Sequence, residues 1–254
     1  MPIFERGASR LYYETHGEGA PVVLLHGVGG NHASWFHQVV AWRGAMQVIT
    51  MDARGFGNST DAEQLGRAAF ADDLAALLDH LGIARAALVA QSMGGGAAVT
   101  FAARAPERVR ALVLADTLVG LDLPGELAAR MREVAARAAN LTQLERVLGP
   151  TFTHAHPAEA YLYTALASFN DTNVRNLRGE QPLTSLAALD ACGVPVLFVA
   201  GVEDVLFPPE AIRAAQAAMA NAEYLEIAAA GHSAYFEAPR VFNEAVRAWL
   251  DRHD

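Results

Sequence analysis

Ala90-Gln91-Ser92-Met93-Gly94-Gly95-Gly96 joins two stretches of opposite character. Before it, Ala86-Ala87-Leu88-Val89 reads as a short buried strand. After it, Ala97 to Ala103 reads as a helix. A serine is therefore held on a sharp strand-to-helix turn. Such a turn needs small residues two before and two after the serine, because strand and helix backbones nearly touch there. Ala90 and Gly94 meet that need. The turn presents the Ser92 hydroxyl at the carboxyl edge of a sheet, over a helix N-terminus that favours developing negative charge. A glycine-rich turn with an incidental serine is the plainer reading, and these seven residues alone do not separate the two.

Outward from this turn the chain alternates. Arg10 to Thr15 reads as an early antiparallel strand, and Val22 to Leu25 as a strand covered on both faces. A helix is expected over Ser34 to Trp42, capped by Asn31 or Ser34. Val48 to Met51 is the next buried strand, and Leu74, Leu77, Leu78 and Leu81 give helical spacing over Phe70 to Leu81. Val109 to Ala115 is another strand, ending at Asp116. From Leu118 to Leu186 the pattern is helical and no strand is expected: Glu126 to Asn140, Thr142 to Leu148, Pro157 to Ala167 and Asp171 to Leu177. Strands then return at Val194 to Ala200 and Glu223 to Ile227, with helices at Pro208 to Met219 and Pro239 to Arg252. Alternation on both flanks predicts an α/β architecture, one mostly parallel sheet flanked by helices. Its core domain is residues 1–117 and 187–254. Residues 118–186 form a small helical cap inserted on the sheet's carboxyl edge.

Composition narrows the function classes. The net charge is −9 with no basic cluster, which argues against nucleic acid or an anionic membrane as partner. No apolar run approaches the ~20 residues that span a bilayer. The N-terminus lacks an apolar signal-peptide core, and the single cysteine, Cys192, fits a reducing cytoplasm. Cys192 reads as a small buried hydrophobe. His154 and His156 lack companions at ligand spacing, and no Gly-Lys-Ser/Thr follows the glycines, so neither a metal nor a phosphate-bearing cofactor is expected.

A serine hydroxyl is a weak nucleophile that needs a base, and the base needs an orienting acid. Gly201-Val202-Glu203-Asp204 follows the strand ending at Ala200, and Gly231-His232-Ser233 follows the strand ending at Ile227. Both loops fall on the edge that carries Ser92. The order Ser92, Asp204, His232 is that of a nucleophile elbow on such a sheet.

These stretches, with His26-Gly27-Val28-Gly29 and Asp52-Ala53-Arg54-Gly55-Phe56-Gly57-Asn58-Ser59, resemble the α/β-hydrolase family over almost the whole chain. Ala90 departs from the strict motif's glycine but meets the same steric need. The resemblance implies the α/β-hydrolase fold with its cap after the sixth strand, and a Ser92–His232–Asp204 triad. It implies an oxyanion hole from the backbone N–H groups of Val28 and Met93. Asp116 is the alternative acid, because some members take it from that position. Asp204 is preferred for its Gly-x-x-Asp pattern. His26, Asp52 and Arg54 are expected to brace their loops. His32, Trp35, Leu118, Phe152, Phe169, Val205 and Leu206 are the expected pocket residues; Arg175 or Arg178 could hold a substrate carboxylate, but an exposed helix arginine is the commoner reading of each. The implied activity is hydrolysis of a small carboxylic ester or lactone, and a homo-oligomer is compatible with it. Carbon–carbon hydrolases and cofactor-free haloperoxidase-type enzymes share the same triad, and a non-turnover receptor on this scaffold is the reading from another class.

Overall fold

A computed structural model describes residues 2–253. The strands in chain order are β1 (Ile3–Arg6), β2 (Ser9–His16), β3 (Ala20–Leu25), β4 (Met46–Met51), β5 (Ala86–Gln91), β6 (Val109–Ala115), β7 (Leu121–Asp122), β8 (Thr184–Ser185), β9 (Val196–Gly201) and β10 (Ala222–Ile227). Eight of them form one sheet in the order β1-β2-β4-β3-β5-β6-β9-β10. β2 runs antiparallel to both its neighbours, and every other pair is parallel.

The continuous apolar runs are explained by two covered faces. Strand side chains alternate, so a run buried on both sides must be apolar at every position. Val23, Leu25, Leu88, Ala90, Leu112 and Leu114 pack into one core layer. Val22, Leu24, Ala87, Val89, Ala111 and Val113 pack into the other.

Helices supply the outer layers: α1 (Phe36–Trp42), α2 (Phe70–His80), α3 (Met93–Arg104), α4 (Gly125–Ala138), α5 (Gln143–Val147), α6 (Pro150–Ala155), α7 (Pro157–Ala167), α8 (Leu186–Ala191), α9 (Pro209–Ala217), the single turn α10 (Ala234–Glu237) and α11 (Pro239–Asp251). α2, α3, α8 and α9 cover the first face, while α1, α10 and α11 cover the second. Phe242, Val246, Trp249 and Leu250 form the buried stripe of α11, at helical spacing. Truncating Phe242 to Ala would cost about 3–5 kcal/mol.

Between β6 and β9 the chain leaves the sheet and makes α4 to α7. The two-residue pair β7–β8 ties the exit to the return, with the Thr184 N–H donating to the Gly120 carbonyl at 2.8 Å. α5 opens on a capping box, Thr142 with Glu145. Pro150 and Pro157 sit in the first turns of α6 and α7, where a missing N–H costs nothing.

Several boundaries differ from the sequence expectation. Residues 171–177 are not a helix. The Asn173 side chain accepts from the Arg175 N–H, and Asn176 Oδ1 accepts from the Asn173 N–H, so local side-chain bonds replace the helical ladder. The helix expected from Ser34 is split into a tight turn over His32–Trp35, capped by Asn31, followed by α1. β1, α6, α8, α10 and the β7–β8 pair were not anticipated, being short elements whose patterning carries little signal. Cys192 is half-buried rather than buried and ends α8. Among the described residues no helix is long and apolar enough to cross a membrane.

Candidate active site

Ser92 occupies a backbone conformation that L residues rarely adopt, φ 49° and ψ −117°. Such strain costs about 1–3 kcal/mol and persists only where the surroundings over-determine it. Here they do. The Ser92 N–H donates to the Ala115 carbonyl at 3.1 Å, and its own carbonyl accepts from the Gly95 N–H at 2.9 Å and the Thr117 hydroxyl at 2.8 Å. The steric demand on position 94 is visible: a Cβ on Gly94 would lie 2.4 Å from the Leu25 carbonyl oxygen of β3.

The loops after β9 and β10 bring two further side chains to Ser92. His232 Nε2 lies 2.9 Å from Ser92 Oγ, and His232 Nδ1 lies 2.9 Å from Asp204 Oδ2. An ionised carboxylate only accepts, so Nδ1 carries the proton and Nε2 is left to accept from the serine hydroxyl. The other Asp204 oxygen accepts from the Leu206 and Phe207 N–H groups at 2.7 and 3.0 Å, which fixes its orientation. His232 and Asp204 are both buried, and the Phe207 ring stacks on the imidazole at 5.7 Å. Burial pulls the His232 pKa down. The charge and hydrogen bond of Asp204, with Asp116 and Glu237 behind, outweigh it, and the net shift is upward from 6.5.

Asp116, the alternative acid, does not touch the imidazole. Its two oxygens accept from the Gly201 N–H at 2.7 Å and the Ala234 N–H at 3.0 Å, tying β6 to the loops that carry Asp204 and His232. Burial, then the neighbouring Asp204 charge, push its pKa well above the carboxylate range. Glu203 turns away toward the Thr151 hydroxyl and N–H of the inserted helices.

The loop after β3 is held by His26, whose Nδ1 donates to the Gly27 carbonyl and whose Nε2 accepts from the Ala53 N–H. Burial lowers the His26 pKa, so the ring stays neutral in this role. A Cβ on Gly27 would lie 2.9 Å from the Ser92 Cβ, so only glycine lets the loop approach the elbow. Val28 follows and lines the cavity over Ser92. Met93 is the first residue of α3. Among the described residues neither the Val28 nor the Met93 N–H has an acceptor in the protein. One of these free donors adjoins Ser92 in the chain, and the other belongs to a residue that lines the same cavity as Ser92.

A cavity of about 650 Å³ opens over Ser92 and His232. Its walls are Val28, Gly29 and Leu206 from the loops at the sheet edge, and Thr142, Arg146, Tyr163, Asn170 and Arg175, among others, from the chain between β7 and β8. The volume is that of a small-molecule site. Of the seven expected pocket residues Leu206 lines it and the other six do not. His32 is corrected to a brace: the buried Asp52 carboxylate takes its N–H at 2.6 Å and its Nδ1 at 2.9 Å. Trp35 packs tilted against Tyr235 in the second core layer, and Phe152 packs on Phe236 in the same layer. Leu118 belongs to the first core layer. Phe169 and Val205 point to solvent. Arg54 grips Asp73 and Glu63, bracing its turn as expected. Arg178 lines a separate cavity beside Arg54.

Comparison with known proteins fits this geometry. Residues 20–239 match the family model described as alpha/beta hydrolase fold. The chain belongs to the α/β-hydrolase fold family. Like the "Putative non-heme bromoperoxidase BpoC" of Mycobacterium tuberculosis, with which it is 33% identical over 93% of this chain and 95% of that one, this α/β hydrolase shows similarity end to end. Among solved structures it is similar to a thermophilic esterase from Thermogutta terrifontis, at 29% identity and TM-score 0.81, covering 97% and 95% of the two chains. It is also similar to Est816, described as an N-acyl homoserine lactone degrading enzyme, at 27% identity and TM-score 0.80, covering 97% and 99%.

Four residues of this α/β hydrolase's site escaped the sequence reading. Gln91 donates to the His232 carbonyl at 2.7 Å, anchoring the histidine loop to the end of β5. Tyr163 of α7 is buried, lines the cavity and accepts from the Ser233 hydroxyl at 3.0 Å. Glu237 accepts from the N–H groups of Gly149, Gly231 and Ser233, so one buried carboxylate joins the inserted helices to both flanks of His232. Burial raises its pKa to about 7 against the pull of those three amides. Arg146, on α5, reaches the cavity from a helix too short to show a face in sequence. A carboxylate five residues after an expected base is the one signal that was available, for Glu237.

Proposed function

We propose that this chain is a serine hydrolase acting on a small carboxylic ester or lactone. The observation that carries the reading is the unbroken relay from Ser92 Oγ through His232 to Asp204, two contacts of 2.9 Å opening on one cavity. Ser92 Oγ attacks the carbonyl carbon while its proton passes to His232 Nε2. Asp204 holds the imidazole in the right tautomer and stabilises the imidazolium. The oxyanion of the tetrahedral intermediate takes the Val28 and Met93 N–H groups, each worth about 3 kcal/mol. Collapse breaks the ester C–O bond, and the leaving alkoxide takes the proton from Nε2. In a lactone that alcohol stays attached to the acyl group. Water then repeats the sequence on the acyl-enzyme and frees Ser92. The esterase and lactone-degrading enzyme among the structural relatives act on this substrate class by their titles.

The test is turnover of a p-nitrophenyl ester series from acetate to octanoate, wild type beside Ser92→Ala. Many turnovers per site, abolished in the variant, support the reading, and the length series sizes the acyl pocket. Equal slow rates in both proteins would overturn it. A single stoichiometric burst with no turnover would indicate a receptor.

A further inference from the structure

Charge on the cavity wall is distributed against the charge of the chain. The sequence holds 28 Asp and Glu residues and 19 basic ones, a net −9. Yet among the described residues no Asp or Glu lines the cavity over Ser92. Beside His232, the charged lining residues are Arg146 and Arg175. Among the described residues neither guanidinium has an ion-pair or hydrogen-bond partner; exposed arginines such as Arg132 and Arg137 are unpaired as well, and what sets Arg146 and Arg175 apart is their place on the cavity wall.

The carboxylates nearest in the chain are committed elsewhere. Glu145, the neighbour of Arg146, accepts from the Thr142 N–H and hydroxyl at 2.8 and 2.6 Å in the α5 capping box. Asp171, before Arg175, lines the separate cavity beside Arg54. The backbone that carries each arginine is held in place, while the Arg175 side chain is exposed. Arg146 is half-buried on the capped helix α5. Arg175 rides on a turn pinned by Asn173 and Asn176, which is anchored to the Gly55 carbonyl through the Thr172 N–H at 2.9 Å. Two unpaired guanidiniums on the wall of one cavity, Arg146 half-buried and Arg175 exposed, attract one kind of group, a planar anion that accepts two N–H bonds.

We infer that Arg146 and Arg175 form a carboxylate-binding pair, so that the substrate is an ester or lactone that also carries a free carboxylate. The inference rests on the hydrolase reading for the word substrate, and on the cavity alone for the anion site. Local positive charge also offsets the repulsion that a −9 chain exerts on an approaching anion.

Two measurements keep these apart. In the first, kcat/KM is compared for esters with and without the carboxylate: monoethyl adipate against ethyl hexanoate, and 4-acetoxybutanoate against butyl acetate, which place the charge on the acyl and alcohol sides. At least one charged ester should exceed its neutral partner by about tenfold or more, and Arg146→Ala or Arg175→Ala should reduce that ratio by about tenfold through KM. The advantage should shrink with added salt. Arg178→Ala, outside this cavity, leaves the ratio unchanged. In the second, adipate binding to the intact Ser92→Ala protein is followed by calorimetry, which needs no turnover. Adipate binding that is lost in Ser92→Ala/Arg146→Ala supports the anion site even if no ester is hydrolysed, an outcome that would sink only the hydrolase reading. Turnover of neutral esters with no preference for either charged ester, and no adipate binding, overturns the inference and leaves the hydrolase reading standing.

Discussion

Gly149 and Gly231 meet backbone against backbone: a Cβ on Gly231 would lie 2.3 Å from the Gly149 nitrogen. This contact seats the start of α6 on the loop that carries His232. Gly231→Ala must push the two segments apart, and over-packing of this kind costs about 1–3 kcal/mol. The expected outcome is a lower Tm together with a lower kcat, because the displaced residue precedes the histidine. An unchanged Tm and kcat would mean that the two segments part without cost.

The carboxylate that bridges the same two glycines predicts a pH dependence of stability. Burial raises the Glu237 pKa from its usual 4.5 to about 7 in the folded protein. Between these values the unfolded chain has already lost this proton while the folded chain still holds it. The folded state therefore binds more protons, and stability falls as pH rises. The contribution is fully present below the unfolded pKa and is lost as pH passes about 7, by ~3 kcal/mol at most. Glu237→Gln, which keeps an acceptor for two of the three amides, should flatten this part of the stability–pH curve measured by urea unfolding. A variant curve parallel to wild type would show that Glu237 does not titrate there.

His232 gives a second pH signature, in rate rather than stability. It must be neutral to accept the Ser92 proton, and its pKa is raised above 6.5 by Asp204 and the acids behind it, against the effect of burial. The acid limb of kcat/KM should therefore fall off at a pH above 6.5 rather than below it. A pH–rate profile of the wild type with a neutral ester reads this directly, and an acid limb centred below that value contradicts the assignment.

The parts of the site that were legible in the sequence are those whose chemistry is local. Ser92 on its turn, Asp204 and His232 at strand ends and the glycines around them carry their reasons within a few residues. The close approach of Gly94 to Leu25 is the steric demand expected of the elbow. What was not legible depends on partners distant in the chain. Gln91 and His232 lie 141 positions apart. Trp35 and Phe152 look like pocket residues until Tyr235 and Phe236 cover them. The cavity wall comes from short helices and a turn whose side-chain bonds override their helical pattern, so Arg146 and Asn170 could not be placed from periodicity.

Two buried aspartates beside one histidine set the last prediction. Asp204 accepts from His232 Nδ1 at 2.9 Å, whereas Asp116 accepts only backbone N–H groups, from Gly201 and Ala234. Asp204→Asn would offer the imidazole an N–H or a neutral carbonyl, losing both the tautomer and the charge. The expected loss in kcat is about 10⁴-fold. Asp116→Asn sets its new NH2 against a backbone donor and leaves the Asp204–His232 bond in place. Its cost should appear in stability, about 1–3 kcal/mol for the unpaired amide, with kcat lowered far less than in Asp204→Asn. The two variants are compared by kcat on one ester and by urea unfolding. If the large loss in kcat fell on Asp116→Asn instead, Asp116 would be the acid of the relay and the Asp204 contact a bystander.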